Sequence, residues 1–227
     1  SSFNLFNYTN VFARLAYSKN IDQIRNITSF ENVISTNTFF NSNFADESAT
    51  AFGRIQRTFG KLIASVNLSF NYSKINQLID SRRSVNTGFT RSYTPRLRTN
   101  FKKAPNISLK YKYTVSINNQ GPNETTFYTS APSLDFDAYI WKSVTLKTDY
   151  TYTNQSLRGG NSDNFQTWNA SISYRKNRDT KWEFEVVATN LLDIDSKVSN
   201  TATNLFVSES RIFIQPRFIT FRLRYEL

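Results

Sequence analysis

Two pairs of carboxylates stand two residues apart in this chain, Asp135 with Asp137 and Glu183 with Glu185. On an extended strand such a pair shares one face, with about 7 Å between Cα atoms, a separation that suits the acid and base of glycoside hydrolysis. Other catalytic groupings are missing. The sequence has no histidine and no cysteine, which removes Ser-His and Cys-His nucleophile pairs, disulfides and thiolate- or imidazole-held zinc. Asp193 and Asp195 lack the glycine and terminal glutamate of a calcium loop, and Gly159-Gly160 reads as a loop turn without phosphate-loop context. The carboxylate pairs also have a plainer reading. If the strands flanking 191–214 pair antiparallel, Glu183 lies opposite Arg224 and Glu185 opposite Arg222. A turn at 140–142 likewise sets Asp137 against Lys147 and Asp135 against Asp149. Opposite charges across a ladder contribute ~0.2–1 kcal/mol each and help to hold its register. We therefore expect ion-pair ladders rather than catalysis, no enzyme activity, and no cofactor or metal.

The elements that position these residues follow from composition and alternation. Lys and Arg number 28 against 17 Asp and Glu, a net charge of +11. The positive residues are spread over many strand candidates, with no helix-turn-helix pattern, RNA-recognition motif or basic tail. No nucleic-acid partner is expected; an anionic lipid surface or a basic pore lining accounts for the charge equally well. Aromatic residues make up 15% of the chain, yet the mean hydropathy is −0.49, the combination that strict polar/apolar alternation produces. No run approaches the ~18 apolar residues of a membrane-spanning helix. With no Met and a start at Ser1-Ser2, the chain is expected to be a processed product, a fragment or the ordered part of something longer.

Period-2 alternation predicts about ten strands and no helix. They cover 11–18, 49–59, 62–73, 93–102, 107–117, 134–140, 144–153, 167–174, 182–189 and 218–227. In the last, Ile219, Phe221, Leu223, Tyr225 and Leu227 share one side while Thr220, Arg222 and Arg224 share the other. Connections between these segments alternate in length. The segments 19–48, 74–91, 118–131, 154–164 and 191–214 are long, whereas 59–61, 102–105, 140–142 and 175–181 are short. Short turns at one end and long loops at the other are expected of an outer-membrane β-barrel. Tyr225, Trp182, Tyr174, Trp141, Phe101 and Phe59 gather near the short turns, as an interfacial girdle requires.

The C-terminal stretches "KWEFEVVATNLLDIDSKVSN" and "FIQPRFITFRLRYEL" resemble the last hairpin of TonB-dependent outer-membrane transporters, in the branch with a carboxypeptidase-regulatory-like N-terminal domain. The resemblance rests on Asn190-Leu191-Leu192-Asp193 leaving the penultimate strand, Gln215-Pro216-Arg217-Phe218 entering the last, and the alternating end. Family members usually end in Phe where this chain has Leu227. The resemblance implies that residues 1–227 are the C-terminal part of one barrel domain, with the plug and N-terminal strands outside this chain. It also implies a Gram-negative outer membrane and uptake of a solute or polymer fragment. The partners implied are lipid and lipopolysaccharide, the remaining barrel and plug, and a surface lipoprotein or other outer-membrane subunits. A complete ten-stranded barrel, serving as a pore or structural subunit, is one alternative, and a soluble β protein binding an anionic partner is the other.

On that reading Ile219, Phe221, Leu223, Tyr225 and Leu227 face lipid, and Glu183, Glu185, Asp137, Lys147, Arg222 and Arg224 face the lumen. A basic lumen patch comprises Arg54, Arg96, Arg98, Lys102, Lys110 and Lys112. It would draw an anionic solute or seat an acidic plug surface. Arg82, Arg83 and Arg91 fall in the 74–91 loop, within reach of anionic lipopolysaccharide or cargo.

Overall fold

A computed structural model describes residues 2–6, 8–21, 23–31, 34–79, 82–102, 105–121, 123–141, 143–177, 179–202 and 207–226. Leu227 lies outside them. The described residues form no helix. They contain β1 (Ser2–Phe6), β2 (Thr9–Asn20), β3 (Gln23–Glu31), β4 (Ile34–Ser42), β5 (Asp46–Phe59), β6 (Leu62–Ile79), β7 (Arg82–Thr99), β8 (Asn106–Gln120), β9 (Asn123–Ile140), β10 (Val144–Leu157), β11 (Ser162–Tyr174), β12 (Trp182–Thr189), β13 (Ser196–Ala202), β14 (Val207–Phe213) and β15 (Phe218–Tyr225). One sheet runs in the order β1-β2-β5-β6-β7-β8-β9-β10-β11-β12-β15. Pairing is antiparallel except where β3 meets β6 in parallel at Ile27–Leu78 and Thr28–Ile79. Among the described residues the sheet is open: β1 and β15 are its outer strands, and no ladder joins one to the other.

The ten expected strands correspond to β2, β5–β12 and β15. The expected long loops are corrected. Most of 74–91 and 118–131 is strand, so β6 and β7 run on until only residues 80–81 separate them, and β8 and β9 until only 121–122 do. Between β10 and β11 only 158–161 remain, while 19–48 and 191–214 fold back as the hairpins β3–β4 and β13–β14. The physical reason is that a backbone ladder needs no apolar alternation, and these segments supply Asn, Ser and Thr that bond across it. Thr90 and Ser116 hydroxyls are 3.1 Å apart, and Asn119 Nδ2 donates to Thr87 Oγ1 at 3.3 Å. Arg82, Arg83 and Arg91 consequently sit in β7, not in a loop. Arg83 donates to Asn76 Oδ1 from Nη2 at 2.7 Å and stacks on the Phe44 ring at 4.6 Å.

Near the short turns the alternation sorts the residues onto two sides. On one, a cross-strand row runs Ala64–Leu97–Leu109–Leu134–Tyr150–Trp168 across β6–β11. A second runs Ala138–Leu146–Ile172–Val186–Phe221 across β9–β12 and β15. The first row begins two residues inside β6 and ends in the middle of β11. Neighbouring strands are thus offset along their length. The apolar band has a definite height. On β5 it spans Ala49 to Phe59 and on β6 Leu62 to Tyr72, roughly 33 Å along each strand. Just past it on the same side Glu47 faces Lys74, with Oε1 and Nζ 3.6 Å apart. Arg57, between Thr9 and Ala64, and Arg91, between Phe70 and Val115, are charged residues on this side.

Almost nothing covers the band. Among the described residues the buried apolar side chains are Ile63, Val115, Phe127 and Ala138. A domain normally buries the apolar side of a sheet against a second layer; here the sheet is a single layer. Ile219, Phe221 and Leu223 are 71%, 65% and 52% exposed.

Candidate functional site

The polar side divides into two regions. In the first, β12 and β15 pair with Glu183 opposite Arg224 and Glu185 opposite Arg222. Arg222 Nη1 lies 3.4 Å from Glu185 Oε2. Arg224 reaches both glutamates, Nη2 at 3.2 Å from Glu185 Oε2 and Nη1 at 3.9 Å from Glu183 Oε2. The Glu185 side chain is only 14% exposed, shielded by the two guanidinium groups. With arginines against both glutamates, the geometry is that of a charge ladder.

Further along, the register sets Lys147 opposite Asp137 and Asp149 opposite Asp135. The side chains then part from the expected pairing. Among the described residues no ion pair joins Asp137 to Lys147; Asp137 instead accepts from Asn106 Nδ2 at 3.4 Å, its cross-strand neighbour on β8. Asp149 accepts from Asn169 Nδ2 at 2.9 Å. Asp135 lies 4.0 Å from Arg96, two strands away. Each carboxylate sits between two neighbouring strands, and the amides win on reach.

The second region is the polar side of β2 and β5–β8. Arg54 lies between Phe12 and Asn67. Arg96 lies opposite Lys110, and Arg98 opposite Ser108. Lys112 is opposite Ala131. Lys102 departs from expectation: β7 ends at Thr99, and Lys102 is in the following connection, where it is exposed. The reason is local. Asn106 Oδ1 accepts from the Phe101 backbone N–H at 2.6 Å and its Nδ2 donates to Phe101 O at 3.1 Å, turning the chain out of the ladder.

Two features were missed by sequence reasoning. Arg14, opposite Phe52, extends the basic region onto β2. Phe12 and Phe52 form a tilted ring pair, centroids 5.8 Å apart, on the polar side between Arg14 and Arg54. The signal was available as two phenylalanines at polar-parity positions of β2 and β5.

The residues that carried the resemblance form a clasp at the root of β13–β14. Asn190 takes a left-handed conformation (φ 52°), donates from Nδ2 to both Ile194 O and Gln215 O at 3.0 Å, and accepts from Ile194 N–H at 3.0 Å. Asp193 Oδ1 accepts from Arg217 N–H at 2.9 Å. At the opposite end Arg175 forks onto Glu226, Nη1–Oε1 3.0 Å and Nη2–Oε2 2.6 Å. That hydrogen bonding holds the Glu226 carboxyl below its ordinary value and raises Arg175.

Of the apolar last strand, Ile219, Phe221, Leu223 and Tyr225 lie on the bare side, and Tyr225 packs on Trp182 with ring centroids 4.7 Å apart. Leu227 falls outside the described residues. A hollow of about 730 Å³ lies mainly on this side, among Ile55, Val66, Pro95, Leu97, Leu109 and Pro132. Among the described residues no group of three or more acidic side chains is arranged to hold a metal. Compared with protein families, characterised proteins and solved structures, the chain matches none.

Proposed function

We propose that this chain is part of the wall of an outer-membrane β-barrel, the C-terminal half of the barrel of a TonB-dependent transporter that takes up a solute or polymer fragment. The observation that carries the reading is the bare apolar band, which runs over ten strands with Arg57 and Arg91 as charged exceptions, would stand about 25 Å tall at the ~40° strand tilt of a barrel, and is ended on β5 and β6 by the Glu47–Lys74 pair. An outer-membrane barrel carries an apolar band of about this height, and hydrocarbon is the covering that removes the cost of exposing Ile219, Phe221 and Leu223 to water. Backbone groups within such a band must be paired between strands, which supports a continuous ladder there. The strand extensions and the β3–β4 and β13–β14 hairpins stand beyond the band on the outer side, facing lipopolysaccharide and any surface lipoprotein. The short turns 60–61, 100–105, 141–143 and 175–181 face the periplasm.

In a complete barrel the outer strands β1 and β15 pair with further strands, because an open edge at membrane depth leaves backbone groups unsatisfied. The open sheet therefore favours half of a larger barrel over a closed ten-stranded pore. Phase partition of the native protein tests the wall. Recovery with the detergent or outer-membrane fraction is expected, and recovery in the aqueous phase would overturn it. Intact mass tests the half-transporter: a native product well above 26.3 kDa is expected, and one near that mass would leave only the small pore.

A further inference from the structure

We propose that the polar side of β2 and β5–β8 is a binding track for a multivalent anionic solute, whose charged groups are phosphates or carboxylates. The inference rests on the wall reading, in which this side faces water inside the barrel.

Six cations point the same way here: Arg14, Arg54, Arg96, Arg98, Lys110 and Lys112. The carboxylate sharing their side of these strands, Asp46, stands at the far end of β5, where it accepts from Asn76 N–H at 2.7 Å. Arg96 is placed directly opposite Lys110, an arrangement that by itself destabilises a sheet. Arg96 finds partial relief from Ser108 Oγ at 2.9 Å and Asp135 at 4.0 Å. Among the described residues no carboxylate comes within 4.0 Å of Arg98, Lys110 or Lys112.

A second observation points at the same place. Ser133, opposite Lys110, is 8% exposed and its Oγ has no hydrogen-bond partner among the described residues. A buried hydroxyl without a partner is uncommon, and an anion seated between Arg96 and Lys110 is an acceptor it can donate to. The cations form two groups. Arg14 and Arg54 lie beside the Phe12–Phe52 pair, and Arg96, Arg98, Lys110 and Lys112 lie two to four strands away, about 10–19 Å at ordinary strand spacing. A solute spanning both carries more than one anionic group and offers an apolar or ring portion to the phenylalanines.

The patch is five strands wide and some six residues tall, about 19 by 20 Å. That is roughly 400 Å², well short of the ~800 Å² each partner contributes to a standard protein interface. A solute fits it better than an acidic protein surface.

The test is isothermal titration of the full-length protein in micelles, using inorganic tripolyphosphate, tricarballylate and hexaglutamate as separate probes. Tripolyphosphate or tricarballylate is expected to bind, which of them does so distinguishing a phosphate from a carboxylate solute. Affinity should fall about tenfold or more in both R96Q/K110Q and R14Q/R54Q, as loss of charge-assisted hydrogen bonds implies. Lys147→Gln, on the polar side outside the patch, should leave it unchanged. Binding that weakens equally in Lys147→Gln, binding indifferent to the double variants, or no binding of either small anion would overturn the proposal. Binding of hexaglutamate alone would identify an acidic protein segment and overturn it too. Heat-modifiable mobility of each variant reports a folded barrel, so an intact, detergent-requiring barrel without anion binding refutes the track and leaves the wall standing.

Discussion

On β12 and β15 both strand glutamates meet arginines, at 3.2 to 3.9 Å, whereas on β7 and β8 Arg96 meets Lys110 and no described carboxylate comes within 4.0 Å of that lysine. Both regions belong to the same side of the same sheet and use the same antiparallel geometry. The difference lies in what neutralises the charge. In the β12/β15 region the chain supplies its own counter-charges and they help to hold the register; in the β2–β8 region it leaves cations facing one another, a cost that an anion from outside the chain would relieve. A uniformly charged wall would be read as solubility or general field. A wall that is compensated in one sector and uncompensated in the next is read as structure in the first and recognition in the second.

The largest expected effect tests what the two regions share, the apolar band behind them. Phe221→Arg behind the paired region and Leu109→Arg behind the basic one should each destabilise the protein in a bilayer by about 2–4 kcal/mol. Denaturant unfolding from liposomes measures it. A change within about 0.5 kcal/mol, as for an ordinary water-exposed position, would remove the band from lipid and the comparison with it.

Next in size is charge reversal within each region. Glu185→Arg should cost about 1–2 kcal/mol, since Arg222 and Arg224 lose their common acceptor, and Arg222→Glu in that background should recover part of it. Lys110→Glu should instead stabilise by ~0.2–1 kcal/mol, because it creates a pair with Arg96. Unfolding of the three variants in micelles decides: Lys110→Glu as harmful as Glu185→Arg would show the two regions to be alike.

The smallest effect concerns a second clasp, the Arg175–Glu226 pair at the end of the paired region. Glu226 has its folded-state pKa lowered by hydrogen bonding to Arg175, so its contribution is present above the ordinary carboxylate pKa and is lost as pH falls through the lowered folded value. Unfolding of the parent and Glu226→Gln should therefore differ most near neutrality and converge in acid. Equal separation at every pH would sever the clasp from the stability of β15.

Alternation alone was enough to place ten strands and to put Glu183, Glu185, Arg222 and Arg224 on one side, because side chains on a strand have period 2 and a one-residue slip would bring the arginines onto the apolar side. The pairing of Glu183 with Arg224 and Glu185 with Arg222 followed only if the strands flanking 191–214 paired antiparallel, as they do. It stopped being informative where neither side is apolar. The Asn-, Ser- and Thr-rich upper halves of β6 to β9 look like loops in sequence, and only backbone pairing shows them to be ladder. Asp137 was equally illegible: the register with Lys147 was available from the turn, but the choice between Lys147 and Asn106 depends on side-chain reach between two strands. Lys102 left the ladder because Asn106 captures the Phe101 backbone, a contact five residues apart with no periodic signature.

The sequence by itself determined which residues share a side, since that follows from the geometry of one extended chain. Only the tertiary structure decided that the apolar side stays uncovered, that the sheet remains open between β1 and β15, and that Arg14, Arg54, Arg96, Arg98, Lys110 and Lys112 fall within one patch. Those facts depend on which strands lie beside which, and residues as distant in sequence as Arg14 and Lys112 become neighbours only through the strands paired between them.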